Sequence, residues 1–389
     1  MRQFQELLFG IFLKKTMFNI RNLFKKQRNY KICISAFAIG KNSFYGSAIH
    51  SLQHIYKVLE EFEFCTIVCP TNFKKFLEEK LPKNQYKRII FNKQFEMIAN
   101  KCPLIFKPFF TGFFIPLYFN KDIIFCLDDS GPLVPFIKSI VLMHNPISFY
   151  DIRELKERKE RRNILYIIVF KFYLKVSFLV SKSIYLVQSS HMKKRLIKNY
   201  ALKDYKVKIL DIYNFSKVYY PNIYLNAKYT LKRKSNNYRK FLQQDLNFKY
   251  RGDVLVPITP RPQKNIQLVV KIAKMVKDFR FLITSSEENL LTYFKSKKSN
   301  SRPENLFCTG FLDHAELCSL MAEEKTKVVL FPSKLETFGL PILESYLLDK
   351  YVVVPNDPVF EIHSFEKCLK FKMNNTRSCL NKINEILNN

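Results

Sequence analysis

Two trains of short apolar runs, each run followed by a stretch with helical spacing, constrain the fold of this chain more than any other feature. In the later train, "DVLVPIT", "FRFLITS", "LFCTGF", "KVVLFPS" and "YVVVPN" alternate with "IQLVVKIAKMVKDF", "EENLLTYFK", "DHAELCSLMAE" and "LPILESYLLD". In the earlier one, "KICISAF", "CTIVC", "IIFCLDD", "SIVLMHNP" and "SIYLVQSS" are joined by stretches that include "AIHSLQHIYKVLEEF" and "HMKKRLIKNY". Runs so short and apolar read as strands covered on both faces, and the periodic stretches as the helices that cover them. Strand, crossover helix and parallel strand make a doubly wound α/β sheet, which binds ligands beyond the carboxyl ends of its strands.

At 389 residues the chain is too long for one ordinary core, and its 47% of hydrophobic residues suffices for two. Around residues 212 to 250 the text turns polar, rich in Tyr, Asn and Lys, and loses its period, so a domain boundary belongs there. The expected organisation is a basic amphipathic extension over 1–29, a first Rossmann-like domain over 30–211, a second over 212–375 and a C-terminal helix over 376–389. Two such domains face to face would make a cleft between their carboxyl-end loops.

The extension places Phe4, Leu8, Ile11 and Phe12 on one face among many Lys and Arg, and Met17 is an alternative start. It lacks an uninterrupted apolar core with a small-residue cleavage site, and no apolar window reaches spanning length. A soluble or surface-bound protein is expected. Ile152 to Val180 reads as one long helix with Lys171 and Lys175 on its solvated face, or as a surface that also dips into a bilayer interface. The formal charge of +32 attracts polyanions such as nucleic acid, anionic lipid or phosphorylated glycans without choosing among them. Nine cysteines without a CxxC pair argue against a disulfide framework or zinc ribbon and point to a reducing cytosol.

Two stretches carry candidate chemistry. In "TPRPQKN", Arg261 and Lys264 sit in a turn between a strand and a helix, where backbone N–H groups and two cations can clamp a diphosphate. In "FPSKLETFGLPILESY", Glu336 lies in a glycine-containing loop and Glu344 on the following helix, with Pro341 at a position where its missing N–H costs nothing. Gly339 lets backbone N–H groups come close to a ligand. Carboxylates so placed suit vicinal diols, one of a sugar ring and one of a ribose.

These residues, together with "LFCTGFLDHAELCSLM", resemble the retaining GT-B glycosyltransferases of family 4 (glycosyl transferases group 1), whose paired glutamates are likewise separated by seven residues. The resemblance is strongest from Leu255 to Ile362; in the first half it rests on the strand-loop-helix start, "LMHNP" and "VQSSHMKKRL". It implies a GT-B fold of two Rossmann-like domains facing an interdomain cleft. The implied reaction moves a hexose-type sugar from a UDP- or GDP-sugar to a glycan acceptor, keeping anomeric configuration and using no metal or cofactor beyond the nucleotide-sugar co-substrate. Arg261 and Lys264 would hold the diphosphate, Glu336 the donor sugar and Glu344 the ribose. Backbone around Thr337, Phe338, Gly339 and Leu340 would approach sugar and phosphate. His144 would bond a donor hydroxyl, with Gly46 and Asn145 on the acceptor side.

The family's glycine-rich first loop is here "AIGKNSFYGS", and Asn145 stands where an aspartate is common. The expected acceptor is a lipid-linked oligosaccharide, O-antigen, capsule or lipopolysaccharide, reached from the inner face of the cytoplasmic membrane by a cytoplasmic, peripheral enzyme. The alternative is a basic nucleic-acid-binding protein without catalysis. Among other polar groups, His50 and His54 read as a solvated helix face. His191, His314 and His363 read as lone structural residues, and Asp128 and Asp129 as a strand-end loop rather than the paired-carboxylate metal motif of inverting enzymes.

Overall fold

The computed structural model describes residues 32–36, 55, 58, 59, 65–103, 106–119, 123–127, 129–135, 137–160, 163–210, 212, 251–296, 302–312 and 314–387. The expected extension, Gly46, His50, His54, Asp128, most of the helix expected over 48–62 and most of the polar stretch 212–250 lie outside these residues. The chain divides into two compact units, Met1–Ile152 with Arg162–Phe215, and Arg153–Arg161 with Ser216–Asn389.

In the first unit the strands are β1 (Ile32–Ser35), β2 (Cys65–Val68), β3 (Ile89–Phe91), β4 (Ile123–Cys126), β5 (Lys138–Met143), β6 (Lys182–Val187) and β7 (Val207–Ile209). They pair in the order β3-β2-β1-β4-β5-β6-β7, every pairing parallel. The helices of this unit are α1 (Thr71–Lys80), α2 (Lys93–Lys101), α4 (Ile164–Val180) and α5 (Ser190–Tyr200); α3 (Ile152–Glu157), which lies between α2 and α4 in the chain, belongs from Arg153 on to the second unit. The run "IIFC" is buried along its whole length, as a strand with helices on both faces must be. Ser189 caps α5, its hydroxyl accepting the Met192 N–H at 3.2 Å.

The single helix expected over 152–180 is in fact two. Lys159 takes φ 62° and the Glu160 N–H returns to the Leu155 carbonyl at 2.8 Å, which closes off α3. Asn163 then caps a new start, accepting the Leu165 N–H at 2.8 Å. Lys175 of α4 is exposed and Lys171 half-buried with its ammonium over the Tyr200 ring, while Ile167, Phe170 and Leu174 are buried. No described helix is long and apolar enough to cross a membrane.

The second unit contains β8 (Gly252–Val256), β9 (Phe279–Ile283), β10 (Leu306–Cys308), β11 (Thr326–Leu330), β12 (Tyr351–Pro355) and β13 (Cys368–Phe371). Their order is β10-β9-β8-β11-β12-β13, again all parallel. Its helices are α6 (Ile266–Met275), α7 (Glu287–Ser296), α8 (His314–Ala322), α9 (Leu340–Leu347) and α10 (Thr376–Leu387). Ile266, Val269, Ile272 and Ala273 form the buried stripe of α6 at helical spacing.

Both sheets therefore carry the doubly wound strand order, in which the winding reverses between β1 and β4 in one unit and between β8 and β11 in the other. Crevices at the carboxyl ends of such neighbouring strands are where the architecture receives ligands. One charged pair lies inside the second sheet. The Arg280 guanidinium of β9 donates through Nε and Nη2 to the Asp253 carboxylate of β8, at 2.6 and 2.8 Å, both residues being buried.

Candidate functional site

The cationic turn follows β8 and the acidic bend follows β11, so the two stretches singled out from the sequence leave neighbouring strands at the reversal point. Pro262–Lys264 form a short 3-10 turn that begins at Arg261. Asn265 takes φ 55°, a conformation asparagine tolerates, and turns the chain into α6. The two loops are stitched together through Gln263, whose carbonyl accepts the Lys334 N–H at 2.8 Å and the Ser333 hydroxyl at 3.4 Å. Lys264 donates to the Glu336 carboxylate, and its ammonium lies 5.4 Å from the centre of the Phe331 ring. The half-buried Arg261 side chain makes no ion pair among the described residues.

A second brace reaches the bend from Arg158. Its guanidinium donates to the Lys334 carbonyl at 2.6 Å and to the Asp357 carboxylate at 2.7 Å, while Asp357 itself accepts the Val359 N–H at 3.0 Å. Neither Arg158 nor Asp357 carried a sequence signal, because their meeting depends on segments far apart in the chain.

Gly339 opens α9 at φ 92°. A Cβ there would lie 2.9 Å from the Ile342 Cδ1 and 3.3 Å from the Phe331 and Phe360 rings, so both conformation and space require glycine. Thr337 and Phe338 are buried, which leaves their backbone rather than their side chains for any ligand, and Leu340 is half-buried. The Phe338 carbonyl accepts the His363 Nε2–H at 2.7 Å, and the two rings meet edge to face at 4.7 Å. Complete burial pushes His363 down to about 4, so it stays neutral and holds this carbonyl as a donor.

Glu344 lies on α9 with only 5% of its surface exposed, and its Oε1 is 2.8 Å from Nε2 of His314 at the start of α8. His314 is therefore not the lone structural histidine expected from the sequence, since it pairs with the candidate ribose carboxylate. The pairing crosses two helices and has no local signature.

In the first unit, His144 and Asn145 follow the end of β5. Asp129, at φ 60° after β4, is buried beneath them. Its carboxylate accepts the backbone N–H of His144 at 2.7 Å, that of Asn145 at 2.9 Å and the Ser148 hydroxyl at 3.3 Å, and the His144 Nδ1 lies 3.4 Å away. Burial raises the Asp129 pKa, and the His144 ring and the two backbone N–H groups oppose that rise. Asp129 thus fits the strand-end-loop reading and shapes the turn that presents His144. Asn145 spends its side-chain oxygen on the Ile147 N–H at 3.2 Å, capping the turn Pro146–Ser148.

Comparison with solved structures defines the class of fold. The Anabaena protein Alr3699/HepE, solved in complex with UDP and glucose, is 13% identical with a TM-score of 0.59, covering 92% of this chain and 89% of that one. WaaG, a glycosyltransferase involved in lipopolysaccharide biosynthesis, gives 0.61 at 10% identity over 92% and 90%. Sucrose-phosphate synthase from Thermosynechococcus elongatus gives 0.60 at 12% over 93% and 90%. The fold is GT-B, as the sequence implied.

Residues 244–389 match the family described as glycosyl transferases group 1, the part of the chain that holds the cationic turn and the acidic bend. An O-antigen biosynthesis glycosyltransferase of Escherichia coli, WclY, is 29% identical over 124 residues, which is 31% of this chain and 33% of that protein. The match thus spans about a third of the length of this curated relative.

Proposed function

We propose that this protein is a glycosyltransferase that moves a hexose-type sugar from a nucleoside-diphosphate sugar to a glycan acceptor. The observation that carries the reading is the joining of the two loops at the reversal point of the second sheet. There the Lys334–Gln263 backbone bond and the Lys264–Glu336 pair put cationic and carboxylate groups side by side. In this reading the bond between the anomeric carbon and the diphosphate breaks and its electron pair leaves on the phosphate, while the acceptor hydroxyl oxygen bonds to that carbon and its proton passes to the departing diphosphate. Arg261 and Lys264 stabilise the charge that develops, which is where an enzyme of this kind gains most. Glu336 accepts from donor-sugar hydroxyls, Glu344 from the ribose, and the backbone around Gly339 comes close because no side chain intervenes there. His144 supplies a further hydrogen bond to the donor. Retention of configuration, independence of a metal, and UDP or GDP as the carrier are parts of the same proposal, the carrier supported by the UDP and glucose of the similar Anabaena structure.

A thermal-shift screen tests the donor assignment directly. UDP or GDP at a hundred times its dissociation constant is expected to stabilise the protein by about 2.7 kcal/mol through mass action. Indifference to both nucleotides and to their sugars would overturn the reading.

The proposed acceptor is a lipid-linked oligosaccharide or another precursor of O-antigen, capsule or lipopolysaccharide, met at the inner face of the cytoplasmic membrane. The O-antigen enzyme WclY and the lipopolysaccharide enzyme WaaG support that class. In the first unit Phe113, Phe114 and Leu117 near the π turn Phe110–Phe114, and Leu165, Ile168 and Phe172 on α4, expose large apolar groups. With the +32 charge, these predict sedimentation with anionic vesicles and release at high salt. Equal partition onto neutral vesicles would remove the electrostatic component.

A further inference from the structure

A buried carboxylate needs a reason to stay charged, and α9 supplies none for Glu344. Only 6% of its side chain is exposed, and an uncompensated carboxylate in such a place is costly. The compensation comes from α8. His314 places Nε2 at 2.8 Å from Oε1, and Cys318, one helical turn further along and fully buried, has its sulfur 3.7 Å from the same nitrogen. Burial works against charge on this imidazole, but the sulfur and the carboxylate overcome it and hold the pKa well above the ordinary histidine value. His314 is thus the donor and Glu344 the acceptor of a charge-assisted bond. The second carboxylate oxygen, Oε2, is buried and has no hydrogen-bond partner among the described residues.

An orphaned acceptor beside one that is firmly held marks a position where a ligand hydroxyl would gain most. We propose that His314 is a positioning residue of the nucleotide subsite, holding Glu344 by one oxygen so that the other accepts a hydroxyl of the donor's ribose. The inference rests on the glycosyltransferase reading, in which Glu344 meets the ribose, and adds to it a second helix and a residue whose worth depends on ribose hydroxyls. Glutamine in place of His314 retains a donor for Oε1 without the charge; alanine removes the donor altogether.

The experiment measures binding of UDP and GDP, and of their 2′,3′-dideoxy forms, to wild type, His314→Ala and His314→Gln, with thermal melting to confirm that each variant is folded. Wild type is expected to prefer the ribonucleotide. His314→Ala is expected to weaken the ribonucleotide about tenfold while changing the dideoxy form less than about twofold, and His314→Gln to recover part of the loss. Equal weakening of both forms would show that His314 merely supports the fold, and would overturn the proposal while leaving the donor reading intact. A wild-type protein that binds neither nucleotide would overturn the glycosyltransferase reading itself. One that binds both forms alike would remove Glu344 from the ribose.

The ligand atoms of His314, Cys318 and Glu344 lie within 4.8 Å of one another. One equivalent of zinc retained through purification, and lost in Cys318→Ser, would replace the positioning role by metal ligation.

Discussion

Arg261→Ala is expected to lower the rate of sugar transfer by about a hundredfold or more, with the fold unchanged. In the proposed reaction the leaving diphosphate needs a cation that is not already committed. Lys264 is bonded to Glu336, whereas the Arg261 side chain has no ion pair among the described residues. Lys264→Ala should therefore also be severe, because it removes a charge and releases the Glu336 carboxylate from its neighbour. Arg261→Lys should recover only part of the activity, since an ammonium keeps the charge but not the planar fork that matches a phosphate. Transfer rates are to be measured beside nucleotide affinity and circular dichroism. Normal turnover in both alanine variants would sink the assignment of the diphosphate site.

Stability should respond most sharply to a residue with no part in the chemistry. Arg280→Ala is expected to destabilise the second unit by about 3–5 kcal/mol, because it strands the Asp253 carboxylate inside the sheet. The cost belongs to the uncompensated charge rather than to the pair as such, so replacing both partners together by apolar residues of similar volume should restore most of the loss. Denaturant melts of the full chain, read with a probe in the second unit, would decide this. A double replacement as unstable as Arg280→Ala would mean that the pair itself, not the stranded charge, is what the sheet requires.

The architecture was largely legible because burial on two faces writes itself into consecutive residues. "KVVLFPS" and "YVVVPN" announce β11 and β12, and the stripe Ile266, Val269, Ile272 announces α6. Three edge strands escaped, Ile89–Phe91, Val207–Ile209 and Cys368–Phe371, each too brief to show a period. The break between α3 and α4 was missed for a different reason. The apolar composition runs on from Ile164, but the break is made by one positive φ at Lys159 and one cap at Asn163.

The candidate site divides in the same way. Arg261, Lys264, Glu336, Gly339 and Glu344 stood out because turns and helix starts demand particular residues at fixed offsets, and offsets are written along the chain. Asp129 beneath His144, Arg158 on the acidic bend, His363 on the Phe338 carbonyl and His314 on Glu344 did not stand out. Each is a polar group whose partner lies on a different element, and sequence spacing has no bearing on a hydrogen bond of that kind. The order of apolar runs and the local chemistry of two loops thus determined the winding of both sheets and the residues proposed to meet a ligand. Only the tertiary structure decided which buried charges are compensated and by whom, because desolvation is felt in three dimensions and a carboxylate is paired by whatever the fold brings within 3 Å of it.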